Sequence, residues 1–186
     1  MTLFHSRLTL WAVLAAAVPG WSANAEKPTD YFAYVGTYTT GESRGNYGYR
    51  FDARTGKLVP MGLAAATPNP TFIAIHPNRR FLYAVNRGAK IGEVVAFTIN
   101  RDTGKLAPLN TASSHGDGPT YVTVDKTGKF LLVANYDSGS IASLPIGADG
   151  KLGEAVSVVQ HHGSSVNQER QHGPHAHYIH LSPDNR

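Results

Sequence analysis

An arginine and three histidines fall within eight residues of this 186-residue chain, in Arg170-Gln171-His172-Gly173-Pro174-His175-Ala176-His177. A neutral imidazole near pH 7 can take a proton from water, which is the first need of ester hydrolysis. An arginine beside it can hold a carboxylate or phosphate with two parallel N–H groups, or face an oxyanion. His175 and His177 flank one residue, so in extended chain both side chains project to the same side and act on one ligand. The expected catalytic set is therefore His175, His177 and Arg170, with His172, Asn135 and Tyr136 as binding residues. The same histidines, with Glu169, could ligate zinc. There is no cysteine and no His-Glu-x-x-His helix motif to strengthen that reading. A divalent metal is thus allowed but not favoured, no cofactor is called for, and a serine nucleophile is not favoured either. Among the other histidines, His161 and His162 sit in a polar loop, His76 precedes a turn, and His180 is a weaker candidate.

These residues need a scaffold, and internal repetition supplies it. Phe72-Ile73-Ala74-Ile75-His76-Pro77-Asn78-Arg79-Arg80-Phe81-Leu82-Tyr83-Ala84-Val85-Asn86 returns in character, 49 residues on, as Tyr121 to Asn135. A third copy begins at Tyr178 and breaks off at Arg186, before its second strand. Thr55-Gly56-Lys57-Leu58, Thr103-Gly104-Lys105-Leu106 and Gly150-Lys151-Leu152 recur at similar spacing, each after an aspartate. Aspartate followed by glycine favours tight turns, so each marks a hairpin. Within one unit the apolar, β-branched runs read as strands over 71–75, 81–86, 92–100 and 106–113, and no helical period is sustained. Four antiparallel strands every 40 to 60 residues is the pattern of β-propeller blades, roughly three in this chain. The first unit starts late, at Tyr31-Phe32-Ala33-Tyr34-Val35, which matches the second strand of later copies. Asn69-Pro70-Thr71, Gly118-Pro119-Thr120 and Gly173-Pro174-His175 share one blade position, so His175 stands where two siblings carry threonine. Asn86, Asn135 and Tyr136, and more weakly Tyr38 and Arg87, occupy equivalent blade positions whose plain role is hydrogen bonding within the blade.

Residues 1–25 read as an export signal: Arg7, an apolar run from Leu8 to Val18, a Pro19-Gly20 breaker, and Ala23-Asn24-Ala25 as cleavage site. The protein is expected to be periplasmic or secreted, with no membrane contact after cleavage. Residues 26–186 are expected to form the N-terminal part of one propeller domain, stabilised by packing because no disulfide is possible. A formal charge of +4 with no basic stripe or basic amphipathic helix excludes nucleic acid and membrane surface as partners.

The chain resembles the seven-bladed β-propeller lactonase family. The resemblance rests on Tyr34-Val35-Gly36-Thr37-Tyr38, Asn69-Pro70-Thr71-Phe72, His76-Pro77 with Phe81 to Asn86, Gly118-Pro119-Thr120, Ala134-Asn135-Tyr136, and Pro174-His175-Ala176-His177 with Ser182-Pro183-Asp184-Asn185-Arg186. It implies an all-β fold and hydrolysis of a sugar lactone, 6-phosphogluconolactone or a related aldonolactone, by water attack on the lactone carbonyl. It also implies a longer, monomeric whole protein, of which this piece alone is expected to be inactive. A non-catalytic periplasmic binding propeller, and a lactone-forming enzyme like the family's muconate cyclase, are the alternatives.

Overall fold

The structure, a computed structural model, describes residues 29–88 and 91–185, and the expected leader lies outside them. It contains β1 (Asp30–Val35), β2 (Gly45–Asp52), β3 (Lys57–Ala66), β4 (Ile73–Ile75), β5 (Phe81–Asn86), β6 (Glu93–Ile99), β7 (Leu106–Ser113), β8 (Pro119–Val124), β9 (Phe130–Asn135), β10 (Ser140–Pro145) and β11 (Ser157–Gln160). All strand pairs are antiparallel. They form three sheets in chain order, β1-β2-β3, β4-β5-β6-β7 and β8-β9-β10-β11. This is a propeller segment of one three-stranded and two four-stranded blades, and among the described residues the first blade has no counterpart of β4 and β8, as its late start implies.

Stacking of the blades explains the apolar runs. Every residue of β5 is buried, because its two faces meet different neighbours. Phe81, Tyr83 and Val85 pack with Val122, Leu131 and Val133 of the third blade. Leu82 and Ala84 point the other way and pack with Ala64 of the first blade and Phe97 of their own. A strand covered on both sides has no polar face, so its sequence does not alternate.

The turn glycines lock neighbouring blades together. Gly104, at φ +67°, turns the β6–β7 hairpin onto the first blade, where its carbonyl accepts a 2.9 Å hydrogen bond from Tyr34 Oη. A Cβ on Gly104 would lie 2.9 Å from the Phe32 ring. Gly150, at φ +83°, repeats the contact one blade on. Tyr83 Oη donates to its carbonyl at 3.1 Å, and a Cβ there would lie 2.4 Å from the Phe81 ring. Gly56 has the same backbone, at φ +73°, with nothing within 4 Å of a Cβ. The repeated Gly-Lys-Leu is thus a hairpin signal in all three units and an inter-blade contact in two of them.

A second seam joins the turns before β5 and β9. His76 Nδ1 accepts the Asn78 N–H at 3.1 Å, so the ring proton is on Nε2, which donates to Gly128 O at 2.9 Å. Where the third repeat copy was expected to start a strand, Tyr178–Leu181 forms none. β4 and β8 are strands because β5 and β9 pair with them, and the described residues hold no such partner for the third copy.

Candidate active site

Equivalent residues that follow β1, β5 and β9 meet across the three blades. Tyr38, Arg87 and Tyr136 hold this position, after Thr37, Asn86 and Asn135 respectively. Arg87 Nη1 donates to Tyr38 Oη at 3.3 Å, and the Arg87 guanidinium carbon lies 5.8 Å from the Tyr136 ring centroid. Tyr136 is where the histidines converge. His175 stacks on it at 4.5 Å with 16° between planes, and His177 meets it edge-on at 5.7 Å and 88°. Both histidines thus contact one neighbour.

His175 is held in one tautomer. Its Nδ1 lies 2.9 Å from the main-chain oxygen of Tyr136, which can only accept, so Nδ1 carries the proton. In the neutral ring the lone pair is then on Nε2, ready to receive a proton. Stacking and hydrogen bond together fix the ring in plane and direction. His172 packs edge-on to His175 at 6.0 Å and 82°.

How the sequence achieves this is clear from Pro174. Its carbonyl and ring crowd the Gly139 α-carbon as the Pro119 ring crowds that of Gly92, which makes the two prolines equivalent. Downstream, Phe72, Tyr121 and Tyr178 form a ladder with successive centroids 4.3 Å apart, so these positions are equivalent too. Between proline and ladder aromatic, the earlier blades have one residue, Thr71 or Thr120. The last copy has three, His175-Ala176-His177. The one-for-one replacement of threonine by His175 is therefore corrected: two residues are inserted, and the longer connection presents both histidines.

The remaining candidates separate. Arg170 is exposed on the 161–173 loop and shares with His175 an open cleft of about 410 Å³, walled also by Ser164, Gln171 and Pro174. Asn135 is fully buried beneath the site, its Nδ2 donating to Ser114 O at 2.9 Å and Ser140 Oγ at 3.1 Å. Its Oδ1 has no hydrogen-bond partner among the described residues. Asn86 Nδ2 is likewise committed, to Glu93 Oε2 at 2.9 Å. Among the described residues no three His, Asp or Glu side chains come together as metal ligands would.

Arg87, expected in the sequence as a weaker candidate among blade residues, meets residues of both neighbouring blades. Its Nη2 lies 3.3 Å and 3.5 Å from the two Asp137 carboxylate oxygens, and Nη1 lies 3.5 Å from Thr120 Oγ1. The available signal was its register with Tyr136. Gly41-Glu42-Ser43-Arg44-Gly45 has the Gly-x-Ser-x-Gly spacing of a nucleophile elbow, although a serine nucleophile was not expected. Here it is a loop leading into β2, with no helix after it, and Ser43 Oγ is hydrogen-bonded to Thr37 Oγ1.

Fold and site define a β-propeller segment with a histidine cluster at the blade connections. The family model for the 7-bladed β-propeller lactonases matches residues 32–186, and the chain belongs to that family. It is similar to the 6-phosphogluconolactonase of Bacillus subtilis strain 168, with 38% identity over 84% of this chain and 44% of that protein. The periplasmic gluconolactonase of Pseudomonas aeruginosa superposes with TM-score 0.76 and 36% identity, over 84% of this chain and 45% of that one. A crystal structure from Bacteroides fragilis gives TM-score 0.78 and 36% identity over 90% and 45%. The chain spans less than half the length of these relatives.

Proposed function

We propose that this chain provides the histidine wall of a propeller that hydrolyses sugar lactones. The observation that carries the reading is the hydrogen bond from His175 Nδ1 to Tyr136 O, which leaves Nε2 as the basic atom. His175 Nε2 takes a proton from water while the water oxygen bonds the lactone carbonyl carbon and the π pair moves to the acyl oxygen. Collapse breaks the bond to the ring oxygen, which takes the proton from the imidazolium. The acid so formed ionises to an aldonate. His177, edge-on to the same tyrosine, and His172 flank the bound ring, and Arg170 on the cleft wall draws the polar ligand in.

Water and side chains suffice for this chemistry, so no cofactor is part of the proposal. The substrate is 6-phosphogluconolactone or an unphosphorylated aldonolactone, following the Bacillus and Pseudomonas relatives. The leader-like sequence at residues 1–25 and the periplasmic relative support an exported protein, for which the unphosphorylated lactone is the better substrate. No helix among the described residues is long and apolar enough to cross a membrane.

The test is lactone opening by the whole protein, followed by pH-stat on δ-gluconolactone and 6-phosphogluconolactone against the buffer rate. Turnover of either, lost in His175→Ala, is expected. Ligand-induced thermal stabilisation without turnover would make the protein a binding propeller instead, and turnover of a muconate would make it a cyclase.

A further inference from the structure

Arg87 belongs to the second blade and touches both of its neighbours. Tyr38 Oη in the first blade lies 3.3 Å from Nη1, and Thr120 Oγ1 and Asp137 in the third lie 3.5 Å and 3.3 Å from the guanidinium. The side chain is 25% exposed, so it is held in place while part of its fork still faces solvent. The contacts are all longer than the roughly 2.7–2.9 Å of a saturated charge-assisted hydrogen bond. An arginine has five N–H donors in one plane; the contacts fall two on Nη1 and two, both to Asp137, on Nη2, so Nε–H has no hydrogen-bond partner among the described residues and the other four donors hold only long contacts. The guanidinium also lies against Tyr136, the ring that carries His175 and His177. A fixed cation with one uncommitted donor, and only long contacts on the others, thus shares its tyrosine with the proposed base. Arg170, by comparison, is exposed on a loop.

We propose that Arg87 is the site's anion-binding residue, which takes the acyl oxygen as it becomes negative. The inference rests on the lactone-hydrolysis reading. In the lactone that oxygen is a neutral carbonyl. When water adds, it receives the π pair and becomes an oxyanion, and after the ring bond breaks it is one oxygen of the aldonate carboxylate. A guanidinium binds the second and third of these more strongly than the first, so its contribution is greatest where the barrier lies. Asp137, 52% exposed, keeps the fork oriented from one side without closing it off. Thr120 and Tyr38 hold it from the other.

The experiment compares whole protein carrying Arg87→Ala or Arg87→Lys with the unaltered protein in two measurements. These are steady-state opening of δ-gluconolactone and calorimetric binding of gluconate. Arg87→Ala is expected to lower kcat about 100-fold, as loss of one oxyanion donor does, with KM for the neutral lactone within about threefold. Gluconate affinity is expected to fall about tenfold or more, the scale of one charge-assisted hydrogen bond. Arg87→Lys recovers part of kcat, because charge remains and the fork does not, and added guanidinium ion restores part of the Arg87→Ala rate. A bridge that merely joins blades would lower Tm and leave kcat and gluconate affinity of the folded protein within about threefold; that result overturns the inference. If the unaltered protein opens no lactone, the functional reading falls and gluconate affinity alone decides. Equal affinity in Arg87→Ala, or no gluconate binding by the unaltered protein, then removes Arg87 from this role. Should Arg87→Ala fail to fold, Arg87→Lys and Arg87→Gln carry the same comparison.

Discussion

Replacing Gly150 by alanine tests how the blades are held in register. At φ +83° an L-residue costs about 1–2 kcal/mol relative to glycine. The added methyl would also fall 2.4–2.6 Å from three atoms of the Phe81 ring. That ring is 3% exposed and packed in the core between two blades, so it cannot swing away. Overpacking of this kind costs about 1–3 kcal/mol, and the hydrogen bond from fully buried Tyr83 to the Gly150 carbonyl is strained with it. Gly150→Ala is therefore expected to destabilise by about 2–5 kcal/mol. Gly56→Ala is the internal control, since its backbone is equally left-handed at φ +73° and open space surrounds its Cβ. It should cost only the backbone part, about 1–2 kcal/mol. Urea unfolding of both variants, with Tyr83→Phe added to each, measures the difference. Tyr83→Phe should couple to Gly150→Ala by about 0.5 kcal/mol or more and be additive with Gly56→Ala. Equal costs for the two glycines would refute the inter-blade contact.

Two further outcomes follow from the geometry. Burial would raise the Asp125 carboxyl, but hydrogen bonds from the Thr127 hydroxyl, the Phe130 and Thr127 amides and the Asn185 side chain outweigh it and hold the pKa at about 2. The unfolded value is about 3.9, so the stability from this carboxylate is fully present above that pH and is lost as pH falls toward about 2. Urea midpoints of Asp125→Asn should vary less than those of the unaltered protein over that window, and identical pH slopes would show that the network adds nothing. Tyr136→Ala removes the ring on which His175 stacks and keeps the main-chain acceptor of its Nδ1 proton. It should lower kcat of lactone opening by about tenfold, with Tyr136→Phe near the unaltered rate, because the ring and not its hydroxyl makes these contacts.

The blades were legible in the sequence because their signals are local. Phe81–Asn86 and Phe130–Asn135 are apolar runs between turn residues, and the hairpin glycines recur with them, so strand order followed from spacing alone. What was not legible arises between blades. Arg87 meets Asp137 across 50 residues of chain, and no local pattern marks that meeting. Its register with Tyr38 and Tyr136 was visible, but the row they form exists only once blades stack. The insertion at His175-Ala176-His177 was countable in the sequence, as three residues between Pro174 and Tyr178 against one in the earlier blades, but that Pro174 keeps the place of Pro119 shows only in its contact with Gly139. Asn135 looked able to bind ligand because an amide can serve a substrate or a blade; burial and its bonds to Ser114 and Ser140 commit the nitrogen to the blade. Tyr178–Leu181 shows that a strand-like sequence is not a strand without a partner.

The central claim is that His175, held by Tyr136, is the base that opens a lactone. The most direct measurement is the pH profile of δ-gluconolactone opening by the whole protein with His175 intact, as His175→Gln and as His175→Ala. Turnover should exceed the buffer rate across the profile and fall about 100-fold or more in both variants, with the pH dependence of the unaltered protein lost from the residual rate. A variant that keeps the unaltered rate and the same pH profile would contradict the claim.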